Sequence, residues 1–384
     1  MARLKPAAEK TFAFVDAASS LRELLSWLTP AARVAIDTEA DSLYHYYEKV
    51  CLIQLTARGR NFVIDPLAGL DLKPFLSLLA DKTLMLHGAD YDLRMLRGSF
   101  GFRPKAGVID TMIAAQLIGR EEFGLASLVE RHFGYRLSKS GQKSDWSRRP
   151  LTPTQLGYAV DDTRFVEPLA DFLLDELERL GRAEWFRQSC DAVIEVTEED
   201  RVADPKHEWR IRGVRDLTPR QAAFVREIWR WREREAQRVD RPPFKIMTNR
   251  DILKLARWAE RNPDEGIERA PRLPGHFRAE RKRSLAEAIR AARELDRSEW
   301  PAPRRRGLPG PKGTMKGITR LREGVAELAG ELGLEASVIA PRAALENVAR
   351  NRPTDAEGIR KAGDLLAWQA ELLEPIVRPL YRTA

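Results

Sequence analysis

The first part of the chain carries apolar positions in strand-like runs joined by tight turns. Apolar residues at helical spacing predict a helix over Ala17–Leu28, after a strand-like start near residue 12. Three short runs with the composition of β-strands follow, at Val34–Thr38, Val50–Thr56 and Asn61–Ile64. The spacing of these runs predicts a meander.

The hydrophobic period changes after residue 70. Two predicted strands, Thr83–Leu86 and Val108–Ile109, alternate with helices predicted at Leu72–Leu79, Asp90–Leu96, Met112–Ile118 and Leu125–Phe133. A polar loop over Leu137–Pro150 then leads to one long predicted helix from about Thr152 to Leu180. Paired strands followed by alternating strands and helices predict an α/β domain with a mixed sheet and flanking helices.

The rest of the chain has helical spacing interrupted by tracts rich in proline. The pattern divides the chain into a first domain over 1–181, a helical connector over 182–212 with a break at Asp204-Pro205, a small all-α domain over 213–295, a Pro/Arg/Gly-rich linker over 296–315 and a second helical domain over 316–384. Residues 246–257 align loosely with residues 338–350. This likeness suggests a duplicated helical module.

Charge is distributed unevenly between the two halves. The formal net charge is +8, but residues 1–180 carry 23 Lys and Arg against 24 Asp and Glu, whereas residues 181–384 carry 42 against 33. A basic second half favours a polyanionic partner.

Cysteine usage and hydropathy restrict the cellular setting. Cys51 and Cys190 stand alone, which argues against a disulfide framework and against structural zinc. No apolar leader and no run of 18 apolar residues occurs. We therefore expect a cytoplasmic protein that does not enter membranes, and nothing in the sequence requires more than a monomer.

The candidate chemistry begins at Asp37 and Glu39, which end the first predicted strand of the meander. Side chains two residues apart on a strand share a face, so these two carboxylates project together. By themselves they are more simply explained as a cap, Asp37, and a solvated residue, Glu39, and only partners from distant segments distinguish a metal site.

Two further segments supply acidic partners. Asp92 lies in a predicted first helical turn and shares a face with apolar positions, whereas Asp90 and Asp110 are more simply helix caps. In the long predicted helix, Tyr158 and Asp162 lie on the face that carries the core contacts, and Asp161 lies at its edge. A hydrogen bond that only fastens the helix would also explain Tyr158 and Asp162.

Taken together, the carboxylates of Asp37, Glu39, Asp92 and Asp162 form a set of hard oxygen ligands without His or Cys. Such a set suits Mg²⁺ or Mn²⁺. Two such ions can stabilise the attacking and leaving oxygens of a phosphoryl displacement. The set therefore predicts phosphodiester hydrolysis.

These motifs, in this order and spacing, resemble the tyrosine subtype of the DEDD exonuclease superfamily and within it the ribonuclease D family. The resemblance covers about residues 20–180 and rests on Asp37-Thr38-Glu39, Cys51-Leu-Ile-Gln-Leu, His87 to Asp92, Asp110-Thr111, Gln142-x-Ser144-Asp145-Trp146-x-x-Arg149-Pro150-Leu151 and Tyr158-x-x-x-Asp162. Residues 213–292 resemble the helical HRDC module, and residues 316–384 resemble a degenerate second copy. The doubled Asp161-Asp162 departs from the family pattern, and both the helical face and the spacing favour Asp162.

The resemblance implies a ribonuclease H-like mixed sheet followed by two small HRDC-like domains. It also implies metal-dependent 3′-to-5′ removal of nucleoside 5′-monophosphates from RNA, including tRNA precursors. In the family's pattern two cations are held by Asp37, Glu39, Asp92 and Asp162, and Tyr158 orients the attacking water. A 3′-to-5′ DNA exonuclease and a non-catalytic RNA-binding protein remain as alternatives.

Five residues near these motifs are candidates for substrate contacts: Thr38, His87, Gln142, Trp146 and Arg149. Trp146 offers a ring on which a base can stack, although burial in the core would explain it equally well.

Overall fold

The computed structural model of the chain describes residues 10–198, 208–271, 273–302 and 313–381. These residues form two compact units. The first contains residues 10–40, 49–198 and 313–381, and the second contains residues 41–48 and 208–302. The sequence predicts successive domains, whereas the structure groups the C-terminal helices with the sheet and the short segment 41–48 with the middle helices. The break at Asp204-Pro205 and much of the predicted linker lie outside the described residues.

A six-stranded mixed sheet forms the centre of the first unit, in the order β1-β4-β3-β2-β5-β6. β3 is antiparallel to both of its neighbours, and every other pair of adjacent strands is parallel. The strands are β1 (Phe12–Val15), β2 (Arg33–Ala40), β3 (Val50–Ala57), β4 (Arg60–Ile64), β5 (Thr83–Leu86) and β6 (Val108–Asp110). The mixed sheet with flanking helices confirms the predicted fold class.

β2 and β3 lie in the interior of this sheet because their residues are apolar on both faces. All eight residues of β3 are buried, and so are Val34, Ala35 and Ile36 of β2. Burial on both faces requires helices on both sides of the sheet. The carboxylates at the end of β2 consequently project from a rigid, buried strand.

Eight helices accompany the sheet: α1 (Ala18–Leu28), α2 (Lys73–Ala80), α3 (Ala89–Phe100), α4 (Thr111–Leu117), α5 (Leu125–Phe133), α6 (Pro153–Arg164), α7 (Val166–Arg179) and α8 (Ala183–Glu198). The prediction of a single helix from Thr152 to Leu180 is wrong, because the structure has two separate helices, α6 and α7, in this range. Pro168 has no backbone N–H to bond the carbonyl of Arg164, and the chain turns at the fully buried Phe165.

The middle helical unit and the C-terminal helices repeat one succession of helix lengths. The middle unit contains α9 (Pro219–Arg238), α10 (Pro243–Ile246), α11 (Asn249–Arg261) and α12 (Ala279–Glu294). The C-terminal helices are α13 (Thr314–Leu332), α14 (Ala336–Ile339), α15 (Arg342–Asn351), α16 (Ala356–Gly363) and α17 (Ala367–Tyr381). Helices of 20, 4 and 13 residues in the first set correspond to helices of 19, 4 and 10 residues in the second. This succession agrees with the predicted duplication.

Helix α8 and the C-terminal helices pack on the sheet domain. Phe186 and Cys190 of α8 are buried in a cluster with residues of α4, α5 and α7, and Trp185 stacks on Trp368 of α17 with ring centroids 4.9 Å apart. The predicted connector is therefore part of the core of the first unit. Every described helix is too short or too polar to cross a lipid bilayer.

The buried guanidinium of Arg182 joins the sheet domain to the C-terminal helices. It donates to the carbonyl of Leu117 at the end of α4, at 2.7 Å, and to the carbonyl of Leu332 at the end of α13, at 2.6 Å. One side chain thus satisfies two helix C-termini.

Replacing Arg182 by Ala should lower the free energy of unfolding by about 2 to 4 kcal/mol, because both carbonyls lose a charged donor. Denaturant unfolding of the full chain measures this loss. Arg179→Ala is the matched control, since Arg179 is exposed and its one ion pair with a described residue is with Glu176 on the surface of α7. Equal stability of the two variants would contradict the assigned role.

Candidate active site

The site begins with two carboxylates on the same face of β2. Asp37 lies opposite Gln54 of β3 and Glu39 lies opposite Leu52. This face of the sheet is covered by α6, which packs on both β2 and β3. The strand alternation predicted for Asp37 and Glu39 is confirmed, and the covering helix brings further polar groups toward them.

Helix α6 supplies the third carboxylate. One oxygen each of Asp37, Glu39 and Asp162 lie within 4.8 Å of one another, and all three side chains remain partly exposed. Tyr158 lies one helical turn before Asp162 and shares its face, since residues four apart on a helix are neighbours. The structure thus brings together residues that are 125 positions apart, as the sequence predicts.

Asp92 approaches from the first turn of α3 and is held by Thr38. Its Oδ1 accepts hydrogen bonds from the backbone N–H of Thr38 at 3.0 Å and from the Thr38 hydroxyl at 2.5 Å. Both residues are buried. Thr38, predicted as a substrate contact, therefore faces away from Asp37 and fixes the position of Asp92.

Burial and mutual repulsion oppose ionisation of these carboxylates. Burial, together with the charges of Asp92, Asp162 and Glu39, raises the pKa of Asp37 well above its usual range. Burial and neighbouring carboxylates raise the pKa of Glu39 to about 9 and that of Asp162 to about 8. Burial raises the pKa of Asp92 to about 6 against the opposing hydrogen bonds from Thr38. The cluster holds negative charge only at a cost in free energy.

A divalent cation fits this donor set. The ligands are carboxylate oxygens, which Mg²⁺ and Mn²⁺ prefer, and no described Lys or Arg forms an ion pair with Asp37, Glu39, Asp92 or Asp162. A cation would supply the compensating charge that the surrounding side chains do not.

Comparison with known proteins supports the same interpretation. The family model for 3′-5′ exonucleases matches residues 12–178, and the HRDC domain model matches residues 221–265. Ribonuclease D of Acidiphilium cryptum is 31% identical over 364 residues, which cover 93% of this chain and 90% of that protein. The chain belongs to the ribonuclease D family. It is accordingly a 3′-to-5′ exoribonuclease.

A second relative and two solved structures agree with this assignment. Ribonuclease D of Xanthomonas oryzae is 30% identical, with 94% of this chain and 96% of that protein covered. The crystal structure of Escherichia coli RNase D has a TM-score of 0.74 at 24% identity, and covers 97% of this chain and 99% of that chain. A protein from Bifidobacterium adolescentis has a TM-score of 0.80 at 22% identity, with 98% of each chain covered. The two structures establish the likeness of the fold.

In this ribonuclease D family member, the doubled Asp161-Asp162 divides into two different environments. Asp161 is the more buried of the two, and its carboxylate contacts the Lys10 ammonium at 2.6 Å and Arg164 Nε at 2.7 Å. Asp161 is therefore not at the edge of the buried face, as the helical pattern predicts, but is paired inside the protein. Removing it would take a carboxylate partner from the buried Arg164, so Asp161→Ala should lower the stability of the protein.

Helix α3 begins without its own acidic cap. Its N-cap is Gly88, and Asp110 accepts hydrogen bonds from the backbone N–H groups of Gly88 and Ala89, at 2.9 and 2.8 Å, as well as capping α4. The expectation that Asp110 is a cap is confirmed, whereas the expectation for Asp90 is wrong because Asp110 occupies that role. One carboxylate thus fixes the start of the helix that carries Asp92.

Three of the predicted substrate contacts have partners inside the protein. His87 Nδ1 lies 2.9 Å from the Thr111 hydroxyl, and burial lowers the pKa of His87 to about 4, so the ring is neutral at pH 7. Trp146 is almost fully buried, its ring centroid 6.1 Å from that of Tyr158. Arg149 donates to both oxygens of Asp65, at 2.6 and 2.7 Å, and to the carbonyl of Cys51.

These contacts indicate that Trp146 and Arg149 fasten the polar loop Leu137–Pro150 to the sheet. Of the two predictions for Trp146, the structure favours burial in the core over stacking on a base. Gln142, by contrast, is exposed on this loop. Of Gln142, Trp146 and Arg149, Gln142 is therefore the one whose side chain is not engaged in fastening the loop, and its contact with a substrate stays a prediction.

Gly141 is a residue of the site that the sequence pattern does not reveal. It is buried against the ring of Tyr158: a β-carbon added to Gly141 would lie 2.7 Å from Cβ and Cδ1 of Tyr158, and closer still to Cγ. Real side chains do not approach that closely. The backbone of the loop consequently fixes the position of the tyrosine ring, a constraint visible only once loop and helix are placed together.

Raised carboxylate pKa values predict a pH-dependent stability. The folded protein without metal binds protons that the unfolded chain has released, so its free energy of unfolding should fall as pH rises from about 4 through about 9, the pKa of Glu39. Thermal unfolding in EDTA between pH 5 and pH 9 measures this. Asp162→Asn should reduce the fall, because it removes one repelling charge, whereas the exposed Asp90→Asn should leave it unchanged. Parallel curves for Asp162→Asn and the unaltered chain would contradict the electrostatic account.

The contact at Gly141 predicts a loss of turnover without loss of the carboxylate cluster. Gly141→Ala should lower kcat by about ten- to a hundredfold, because the loop or the Tyr158 ring must shift. Steady-state kinetics on an RNA oligonucleotide give kcat, and protection against thermal unfolding by Mn²⁺ reports the cluster separately. Gly124→Ala is the control, since a β-carbon there meets no atom within 4 Å. Full turnover by Gly141→Ala would show that the contact does not position the tyrosine.

Proposed function

We propose that this exoribonuclease removes nucleoside 5′-monophosphates one at a time from the 3′ ends of structured RNAs, tRNA precursors among them, with two Mg²⁺ or Mn²⁺ ions. The single observation that carries the proposal is the convergence of Asp37, Glu39 and Asp162 within 4.8 Å, without a compensating cation among the described side chains. The tRNA substrate is the one expected of the family. A cytoplasmic location and a monomeric state belong to the same proposal.

The residues have distinct proposed roles. Asp37, Glu39 and Asp162 hold the cations directly, and Asp92 supports them with the oxygen that Thr38 does not engage. When bound, divalent cations supply Lewis acidity and neutralise the charge that develops on the phosphoryl oxygens. The chain provides a rigid set of carboxylates at the end of a buried strand for this purpose.

Tyr158 orients the attacking water and does not act as a base. Burial, followed by the charge of Asp162 and its neighbours, holds the pKa of Tyr158 well above its usual value near 10. Its hydroxyl keeps its proton at neutral pH and can donate a hydrogen bond. Gly141 and Trp146 support the ring from the loop side.

The domain division is also proposed. The exonuclease domain spans residues 1–181, an HRDC domain spans 213–295, and residues 316–384 form a degenerate second HRDC-like module. The matches to residues 12–178 and 221–265 support the first two of these. The shared succession of helix lengths supports the third.

The proposal is tested with an RNA that carries a 5′ label and a 3′ extension, incubated with Mg²⁺, Mn²⁺ or EDTA. We expect shortening by single nucleotides from the 3′ end, lost in EDTA and reduced at least about a hundredfold in Asp162→Asn, because even outer-shell changes at metal sites cost ten- to a hundredfold. Asp90→Asn is the matched control, as Asp90 is exposed and bonds only to Arg94 among the contacts described. A DNA oligonucleotide of the same sequence should be shortened more slowly.

Two results would overturn the proposal. Faster shortening of DNA than of RNA would replace it with a DNA exonuclease, and binding of RNA without shortening in any metal would replace it with a non-catalytic RNA-binding protein. Unchanged activity of Asp162→Asn would remove the carboxylate cluster from the mechanism.

A further inference from the structure

A cavity of about 360 Å³ lies in the middle helical unit, away from the carboxylate cluster in sequence. One wall is the turn over residues 210–215, another is the beginning of α9, and a third is the short segment of Pro301 and Ala302. The cavity is therefore built entirely within the second compact unit.

Three arginines line this cavity, Arg210, Arg212 and Arg215. Arg212 and Arg215 are exposed and have no ion pair or hydrogen bond with a described residue, and none of the described lining residues is acidic. Arg210 Nε is buried without a partner among the described residues, while another nitrogen of that side chain donates to the Ala302 carbonyl at 3.4 Å. The cavity thus combines three cations with unused hydrogen-bond donors.

The arginines of α9 differ from those at the cavity, although they contribute to the basic charge of the second half of the chain. Arg226 and Arg230 both contact Glu227, and Arg238 contacts Glu235. Arg232 is buried beside Glu233. Four of the six arginines of α9 are therefore paired with glutamates within the helix, whereas Arg212 and Arg215 at the cavity have no ion pair among the described residues.

Apolar residues also line the cavity. Val214 and Pro301 are buried, and Leu217 and Pro219 belong to the same lining. Pro219 begins α9, a helix of 20 residues whose positive end favours an anion. A cavity that is lined by arginines and by apolar residues, and is too small for a folded RNA, matches a single nucleotide, which offers an anionic phosphate and a flat base.

We propose that this cavity binds one nucleotide, with its phosphate against Arg210, Arg212 and Arg215 and its base against Val214, Leu217 and Pro301. The inference rests on the proposed function, because RNA and nucleoside 5′-monophosphates are the anions that this enzyme encounters. The nucleotide is either one unit of an RNA chain or a free 5′-monophosphate. The chemistry of the contact is the same in both cases.

The test is fluorescence anisotropy with a labelled single-stranded RNA of about 12 nucleotides, in EDTA to stop turnover. The double variant Arg212→Glu, Arg215→Glu is compared with Arg250→Glu, Arg257→Glu, which replaces two exposed arginines of α11 that do not line the cavity and changes the net charge equally. We expect Kd to rise about tenfold or more in the first variant and at most about threefold in the second. Thermal unfolding of both variants shows that they are folded.

Competition then identifies the source of the nucleotide. Displacement of the RNA by adenosine 5′-monophosphate, but not by adenosine, would assign the cavity to a free 5′-monophosphate, whereas the absence of displacement would assign it to a nucleotide within the RNA chain. Equal weakening by the two double variants would overturn the proposal, because it would show that only total charge matters. Turnover of RNA with Mg²⁺ by the unaltered chain tests the proposed function separately.

Discussion

Repulsion among closely placed carboxylates is the interaction on which the exonuclease site depends. Asp37, Glu39, Asp92 and Asp162 come from three elements, and burial and proximity raise the pKa of each. Such a cluster does not assemble by its own attraction. The pairing of β2 with its neighbours and the packing of α6 across the sheet must hold the groups together. The stability of the apolar framework therefore sustains a site that becomes favourable only when a cation is present.

Several residues near the cluster hold other side chains in place, although the sequence motifs suggest them as substrate contacts. Thr38 holds Asp92, and Arg149 ties the loop before α6 to Asp65. Trp146 fills the space behind Tyr158. Each of these residues fixes the position of another side chain, and such support is what a phosphoryl-transfer site needs for precise geometry.

Charge in the helical half illustrates the difference between total charge and available charge. Residues 208–302 carry 24 Lys and Arg against 16 Asp and Glu. On α9 most arginines are paired with glutamates one to three residues away, whereas Arg212 and Arg215 face a cavity lined by no described acidic residue. A polyanion experiences the unpaired cations, so the cavity and not the arginine-rich helix is the candidate contact.

The local sequence pattern was sufficient to predict the strands and most of the helices, and to choose Asp162 over Asp161 as a member of the cluster. These features depend on hydrophobic period and helical face, which neighbouring residues determine. Tertiary structure decided what depends on segments that are distant in sequence. It placed Asp110 at the start of α3 and Gly141 against Tyr158, and it grouped residues 313–381 with the sheet. These contacts arise when separate elements pack, and no periodicity within either element records which distant group will lie beside it.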